Sequence, residues 1–305
     1  MSGRAAPVMC VVCGEAPGVG PRLPTGAASR RCIRCGLVWW DWPEFEPAAL
    51  YDRDYFQSTQ HAKGYDDYAA LEPGVRRTAR LRLGRLERCL RRGREPGAGG
   101  AGAKRRLFEI GCGTGVFLDE ARAAGWEVCG AEVSAYGAAQ AAQRGLRVER
   151  AAIEELRPTG EKFDCVAMWD VIEHLRDPDG AIAFAASILR PGGWMALSTG
   201  DVDSLAARVS GSRWHLYNLP EHLFFFTVRS LRALLARHGF ETKLVVREWQ
   251  WVPASYLVER LSKTLLRRQT RPGAGPRWLL PATLFDIVGV YGQLREAVAA
   301  REAGR

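Results

Sequence analysis

Two cysteine pairs near the N-terminus, Cys10-x2-Cys13 and Cys32-x2-Cys35, are separated by eighteen residues. Four thiolates at this spacing suit a tetrahedral zinc ion. Each pair is followed by a glycine, Gly14 or Gly36, which relieves crowding where the chain turns over a metal. A four-cysteine site has no open ligand position, so its role is structural. Unliganded thiols in an inert loop are the alternative, and nothing else in the chain suggests the redox work of an iron–sulfur centre. The remaining cysteines (Cys89, Cys112, Cys129, Cys165) are scattered. In a reducing compartment that pattern favours a metal site over a disulfide framework.

A second grouping is Glu109-Ile-Gly-Cys-Gly-Thr-Gly115. Gly111, Gly113 and Gly115 let the backbone turn tightly and approach a ligand without Cβ clashes. The exposed N–H groups and a following helix N-terminus suit a carboxylate or phosphate. Further on, Ala131-Glu-Val-Ser134 places the Glu132 carboxylate where it can accept both hydroxyls of a ribose. A dinucleotide site is one reading, but its fingerprint is G-x-G-x-x-G; here the spacing is G-x-G-x-G, with Glu109 ahead of it. A plain tight turn is the other alternative.

The elements that must hold these residues alternate. Strands are expected at Leu107–Ile110, Glu127–Ala131, Leu146–Glu149, Phe163–Met168, Trp194–Ser198 and Glu241–Glu248. Helices are expected at 75–92, Val116–Ala124, Ala135–Gln143, Pro178–Leu189 and Val228–His238. In the first helix Leu81, Leu83, Leu86 and Leu90 recur at near-helical spacing. The alternation predicts an α/β fold, a doubly wound, mostly parallel Rossmann-like sheet, with ligands at the C-terminal strand ends. A small zinc-ribbon-like module is expected at 1–47, a helical connector and Gly-rich linker at 48–103, the ligand-binding domain at 104–250, and a helical extension at 251–305.

At these residues the sequence resembles the class I S-adenosylmethionine-dependent methyltransferases. The resemblance continues through Phe163-Asp-Cys-Val-Ala-Met-Trp-Asp-Val-Ile-Glu-His-Leu-Arg-Asp-Pro178, Leu189-Arg-Pro-Gly-Gly-Trp194 and Pro220-Glu-His-Leu-Phe-Phe-Phe-Thr227, spanning about residues 105–245. It implies that Glu109, Gly111, Cys112, Gly113 and Gly115 hold the methionine end of the cofactor and that Glu132 takes the ribose. Val133, Ile153, Trp169 and Asp170 complete the expected cofactor site. The chain departs from the family at Ala151-Ala152-Ile153, where relatives usually carry a side chain for the adenine amine. It departs again at Thr199-Gly200-Asp201, and no clear strand follows Glu248. The four-cysteine extension, bound to zinc, resembles the zinc ribbon preceding some bacterial sugar and small-molecule methyltransferases. The aromatics after it, Leu37-Val-Trp-Trp40 and Tyr51–Phe56, fit packing better than a substrate entrance.

Methyl transfer is an in-line displacement that needs alignment and, for an oxygen or carbon acceptor, a base. His174, His215, Glu221 and His222 are the candidates. His215, between Trp214 and Tyr217, has the most substrate-facing setting, whereas His174 and His222 also suit a loop-shaping role. His61 and His238 read as surface residues. The chain lacks an Asn/Asp-Pro-Pro-Tyr/Phe motif and a Pro-Cys pair, which disfavours base N-methylation and cytosine C5 chemistry. The expected acceptor is an oxygen of a small molecule or sugar. C-methylation of a nucleotide-linked deoxysugar and RNA modification are the rivals.

The chain has 305 residues, 47% of them apolar, and a net charge of +9. Disorder and collagen-like repeats are excluded. No apolar run is long enough to span a bilayer, and the start shows no apolar signal core, so a cytoplasmic location is expected. The positive charge is spread over helices, with no basic stripe interleaved with aromatics, so a nucleic-acid partner is disfavoured. Tyr256–Arg268 reads as a basic amphipathic helix, and Trp278–Leu294 as an apolar stretch. Packing in a homodimer or onto the domain is favoured for them, with peripheral membrane contact as the alternative.

Overall fold

The computed structural model describes residues 6–24, 26–42, 68–92, 104–254 and 278–295. The linker at 93–103, the aromatics of Tyr51–Phe56, His61 and the basic stretch 256–268 lie outside these.

A central sheet holds seven strands: β4 (Arg106–Ile110), β5 (Glu127–Glu132), β6 (Arg147–Arg150), β7 (Phe163–Trp169), β8 (Leu189–Gly200), β10 (Phe240–Arg247) and β13 (Ile287–Leu294). Their order is β10-β13-β8-β7-β4-β5-β6. β6, β5, β4, β7 and β8 run parallel, and β13 is antiparallel to both its neighbours. β7 is buried almost throughout, which explains its continuous apolar run Val166-Ala-Met-Trp169. Helices α1 (Tyr68–Arg92), α2 (Val116–Ala123), α3 (Ala135–Gln143), α4 (Pro178–Ile188), α5 (Leu205–Ser210) and α6 (Val228–Arg237) complete the layers. Local chemistry sets their starts. Ser134, Asp177 and Thr227 accept backbone N–H bonds as N-caps of α3, α4 and α6.

Two expectations fail here. Trp278–Leu294 is not helical: it forms β12 (Leu279–Ala282) and β13, and β12 pairs with β11 (Gln250–Pro253). The strand expected to be missing beyond Glu248 is β13, so the sheet does not end at residue 250. The segment Ile287-Val-Gly-Val-Tyr-Gly-Gln-Leu294 is β-branched and carries two glycines, both unfavourable in a helix. It is buried on both faces, which hides the strand alternation in its sequence.

The N-terminal module forms strands β1 (Pro17–Val19), β2 (Ser29–Cys32) and β3 (Val38–Trp40). β3 also pairs with β9 (Phe224–Phe225), so the module's sheet takes its fourth strand from the segment that leads into α6. The aromatics pack as expected. Trp39 is fully buried, Trp40 donates from Nε1 to His222 O at 2.9 Å, and Trp42 meets Phe224 edge-on at 5.2 Å.

Candidate functional site

The Gly-rich turn leaves β4 and opens α2. Gly111, Gly113 and Gly115 all take positive φ. At Gly111 a Cβ would meet Val171 Cγ2 at 2.6 Å, and at Gly115 it would meet Leu146 at 2.5 Å. Only glycine fits either position without a shift. Gly111 and Cys112 both donate to Ala131 O, fastening the turn to the tip of β5.

Glu132 ends β5. Its Oε2 accepts the Gly113 N–H at 2.7 Å and its Oε1 accepts the Ser134 N–H at 2.8 Å. Burial nevertheless raises its pKa, against the lowering effect of these N–H groups. Glu109 is buried on β4, and its Oε2 has no hydrogen-bond partner. Burial pushes its pKa well up, opposed by the Arg82 guanidinium. Val133 follows Glu132, and Ala151 N donates to Glu132 O, which brings Ile153 to the same strand tips. Ile153 is half-buried. Trp169 is buried at the end of β7, and Cys112 is buried in the turn.

Asp170 takes φ +55°, unusual for a residue with a Cβ. It is held by residues that the sequence did not single out. Its Oδ1 accepts from Ser198 Oγ at 2.8 Å, and its Oδ2 accepts from Arg82 Nη2 at 2.9 Å. Arg82 also donates to Ser198 and lies 4.7 Å over the Trp169 ring. The signal for Arg82 was in the sequence: it shares a helical stripe with buried Ala79 and Leu86. A charge on such a stripe requires buried partners.

The four candidate bases separate. His174 Nδ1 meets Glu221 O at 2.9 Å, and His222 Nδ1 meets Leu216 O at 2.8 Å. The two rings pack edge-to-face, 4.5 Å between centroids. Burial lowers the His174 pKa to about 4 and takes His222 well below the ordinary value. These contacts tie both rings to the 216–222 segment. Glu221 is buried, with Oε2 unpartnered. Glu173 is buried beside them with its Oε2 unpartnered, and its pKa rises to about 8 through burial. Glu173, His174 and His222 bring ligand atoms within 4.8 Å of one another, a spacing that can hold a cation. His215 is different. Its Nδ1 lies 3.5 Å from Asp286 Oδ2, and its side chain keeps 28% exposure. The same Asp286 oxygen accepts Trp214 Nε1 at 2.9 Å. Asp286 could not be inferred from sequence, because it comes from the loop before β13. His238 is not a free surface residue: its Nε2 lies 2.8 Å from Asp179 Oδ1, at 16% side-chain exposure.

The cysteine pairs converge. Cys10 and Cys35 sulfurs lie 3.5 Å apart and those of Cys13 and Cys32 3.4 Å apart, with all four within 4.8 Å of one another. A tetrahedron of about 2.3 Å Zn–S bonds has edges of about 3.8 Å, so the cage fits. The two pairs turn alike. Gly14 N donates to Cys10 O and Gly36 N to Cys32 O, both glycines at positive φ. Thr227 Oγ1 donates to Cys35 O at 2.9 Å, fastening the cage to the start of α6.

A family profile described as a methyltransferase domain matches residues 76–245, more than half of the chain. A ubiquinone biosynthesis O-methyltransferase of Cereibacter sphaeroides (strain ATCC 17025 / ATH 2.4.3) is 30% identical over 148 residues, covering 45% of this chain and 60% of that protein. Another, from Bradyrhizobium sp. (strain ORS 278), is 30% identical over 165 residues, covering 52% and 65%. The chain thus spans less than two thirds of the length of these relatives. The magnesium protoporphyrin IX methyltransferase of Synechocystis PCC 6803, solved with bound SAH, is 16% identical with a TM-score of 0.48, covering 82% of this chain and 100% of that one.

Proposed function

The chain belongs to the methyltransferase-domain family, and from that premise we propose that it transfers the methyl group of S-adenosylmethionine to an oxygen of a small-molecule or sugar acceptor. The observation that carries this reading is the pair of buried carboxylates on neighbouring strands. Glu109 keeps an unpartnered oxygen for a cationic ammonium, and Glu132 flanks a turn that only glycine can make. The relatives' printed activity supports oxygen as the acceptor.

When bound, the cofactor supplies a methyl group on a sulfonium centre, activated for displacement. Glu109 and the turn residues Gly111, Cys112, Gly113 and Gly115 would hold its amino-acid end. Glu132 would take the ribose, with Val133 and Ile153 at the base. Trp169 and Asp170, at the end of β7, would complete the cofactor site. His215, oriented by Asp286, takes the acceptor's proton, while His174, Glu221 and His222 hold the loop that carries it. Burial lowers the proton affinity of His174 and His222, which makes them poor bases, while their bonds to carbonyls make them good supports. Zinc on Cys10, Cys13, Cys32 and Cys35 would stabilise the ribbon and, through β3 and β9, this same loop.

The test is calorimetry with S-adenosylmethionine, followed by methyl transfer from labelled cofactor to a panel of phenolic and sugar acceptors. Micromolar cofactor binding and label on oxygen support the reading. No binding of S-adenosylmethionine alongside binding of NAD would overturn it, and label on carbon would move the acceptor to the deoxysugar class.

A further inference from the structure

Five of the twelve exposed large apolar side chains among the described residues fall between 249 and 285: Trp249, Trp278, Leu280, Leu284 and Phe285. Their exposures run from 41% for Trp249 and Leu280 to 75% for Trp278. Scattered exposed apolar residues are ordinary, but a contiguous set marks an interaction surface. The β11–β12 ribbon gathers part of this set on one face. Trp251 and Leu279 face α1: Trp251 N donates to Thr78 Oγ1, Arg77 lies 3.5 Å over the Trp251 ring, and Leu279 reaches Gly74. By strand alternation, Val252, Trp278 and Leu280 share the opposite face, and Val252 pairs directly with Leu280. Beyond the ribbon, Trp249 and Phe285 meet edge-on at 5.9 Å. Asp286 O then accepts Asp201 N, which fixes this apolar edge beside α5, whose Leu205 and Val209 are also exposed.

Charge identifies the occupant. The ribbon ends at the Ala254 N to Trp278 O bond. The sequence it brackets, 255–277, contains Arg260, Lys263, Arg267, Arg268, Arg271 and Arg277 against the single acid Glu259. That net +5 is more than half of the chain's +9. An apolar, tryptophan-bearing face whose two strands are joined by a cationic sequence matches an anionic lipid surface, with aromatic rings at the headgroup level and cations among the phosphates. No helix among the described residues is long and apolar enough to cross a membrane, so the contact is peripheral.

We infer that the outer face of the β11–β12 ribbon, with Leu284 and Phe285, docks the protein on anionic bilayers. This does not rest on the methyl-transfer reading, because it is measured without cofactor or acceptor.

The experiment is flotation of the full-length, zinc-loaded protein with phosphatidylcholine–phosphatidylglycerol vesicles, beside pure phosphatidylcholine vesicles, at low and high salt. Binding to the anionic vesicles that weakens with salt is expected. Leu280→Ser/Phe285→Ser should lower partitioning at least about tenfold while the cooperative thermal melt and the circular dichroism spectrum stay those of wild type, showing that the variant folds. Brominated lipids should quench the wild-type tryptophan emission. No binding, or binding that the double variant does not weaken, would overturn the inference. So would a wild-type dimer in sedimentation velocity that the double variant dissociates, since the face would then be an interface between copies.

Discussion

Glu132 Oε2 accepts the Gly113 N–H at 2.7 Å, so the acid that ends β5 also holds the turn that leaves β4. Replacing Glu132 therefore removes both a ribose acceptor and a support of the turn. Glu132→Ala should weaken cofactor binding by about 1–3 kcal/mol, roughly five- to 150-fold. Titration calorimetry with S-adenosylhomocysteine measures it, and an unchanged Kd would remove Glu132 from the site.

Glu109 links cofactor binding to pH. Its pKa is raised well above the ordinary range by burial, so the ligand-free carboxyl holds a proton where an exposed glutamate has lost it. A cationic ammonium beside Oε2 favours the ionised form, so binding releases that proton. Affinity should rise with pH up to the raised pKa and level off above it. Calorimetry in buffers of different ionisation enthalpy should report proton release, which Glu109→Gln abolishes.

Arg82 is a positioning residue for the Asp170 turn. Arg82→Met leaves Asp170 and Ser198 without their shared donor and leaves Glu248, 3.9 Å away, with less compensating charge. Stability should fall by about 1–3 kcal/mol, together with cofactor affinity. Arg82→Lys keeps the charge but loses the fork, so it should recover only part of each. Full recovery by lysine would show that charge alone matters.

His215 and Asp286 should act together in turnover. His215→Ala is expected to lower kcat by about 10²- to 10⁴-fold with cofactor affinity unchanged. Asp286→Asn keeps an acceptor for Trp214 Nε1 but loses the charge facing His215, so it should give a smaller fall in kcat with cofactor affinity unchanged. Undiminished turnover in His215→Ala would dismiss this base.

Zinc removal should reach beyond the ribbon. Elemental analysis is expected to give one zinc per chain in wild type and almost none in Cys10→Ser/Cys32→Ser. Because β3 pairs with β9 and Trp40 bonds His222 O, the variant should melt several degrees lower and lose turnover more than cofactor affinity. A variant that retains stoichiometric zinc would exclude the cage.

Much of this protein was legible along the chain because its signals are local. A strand, a glycine turn and a helix N-terminus are consecutive, so Glu109–Gly115 declares its own conformation. The paired Cys-x2-Cys-Gly units do the same, because each turn closes over three or four residues. Glu132 follows from the next strand's end, one βαβ unit away. What lay beyond that range was decided by packing. β13 sits between β8 and β10, although its residues come last among the described strands and, buried on both faces, show no alternation. Asp286 reaches His215 across 71 positions, and Arg82 reaches Asp170 across 88. Local propensity carries no record of such pairings. They arise because buried charges must find partners and because an open sheet edge must be covered, and only the folded chain determines which residues meet those demands.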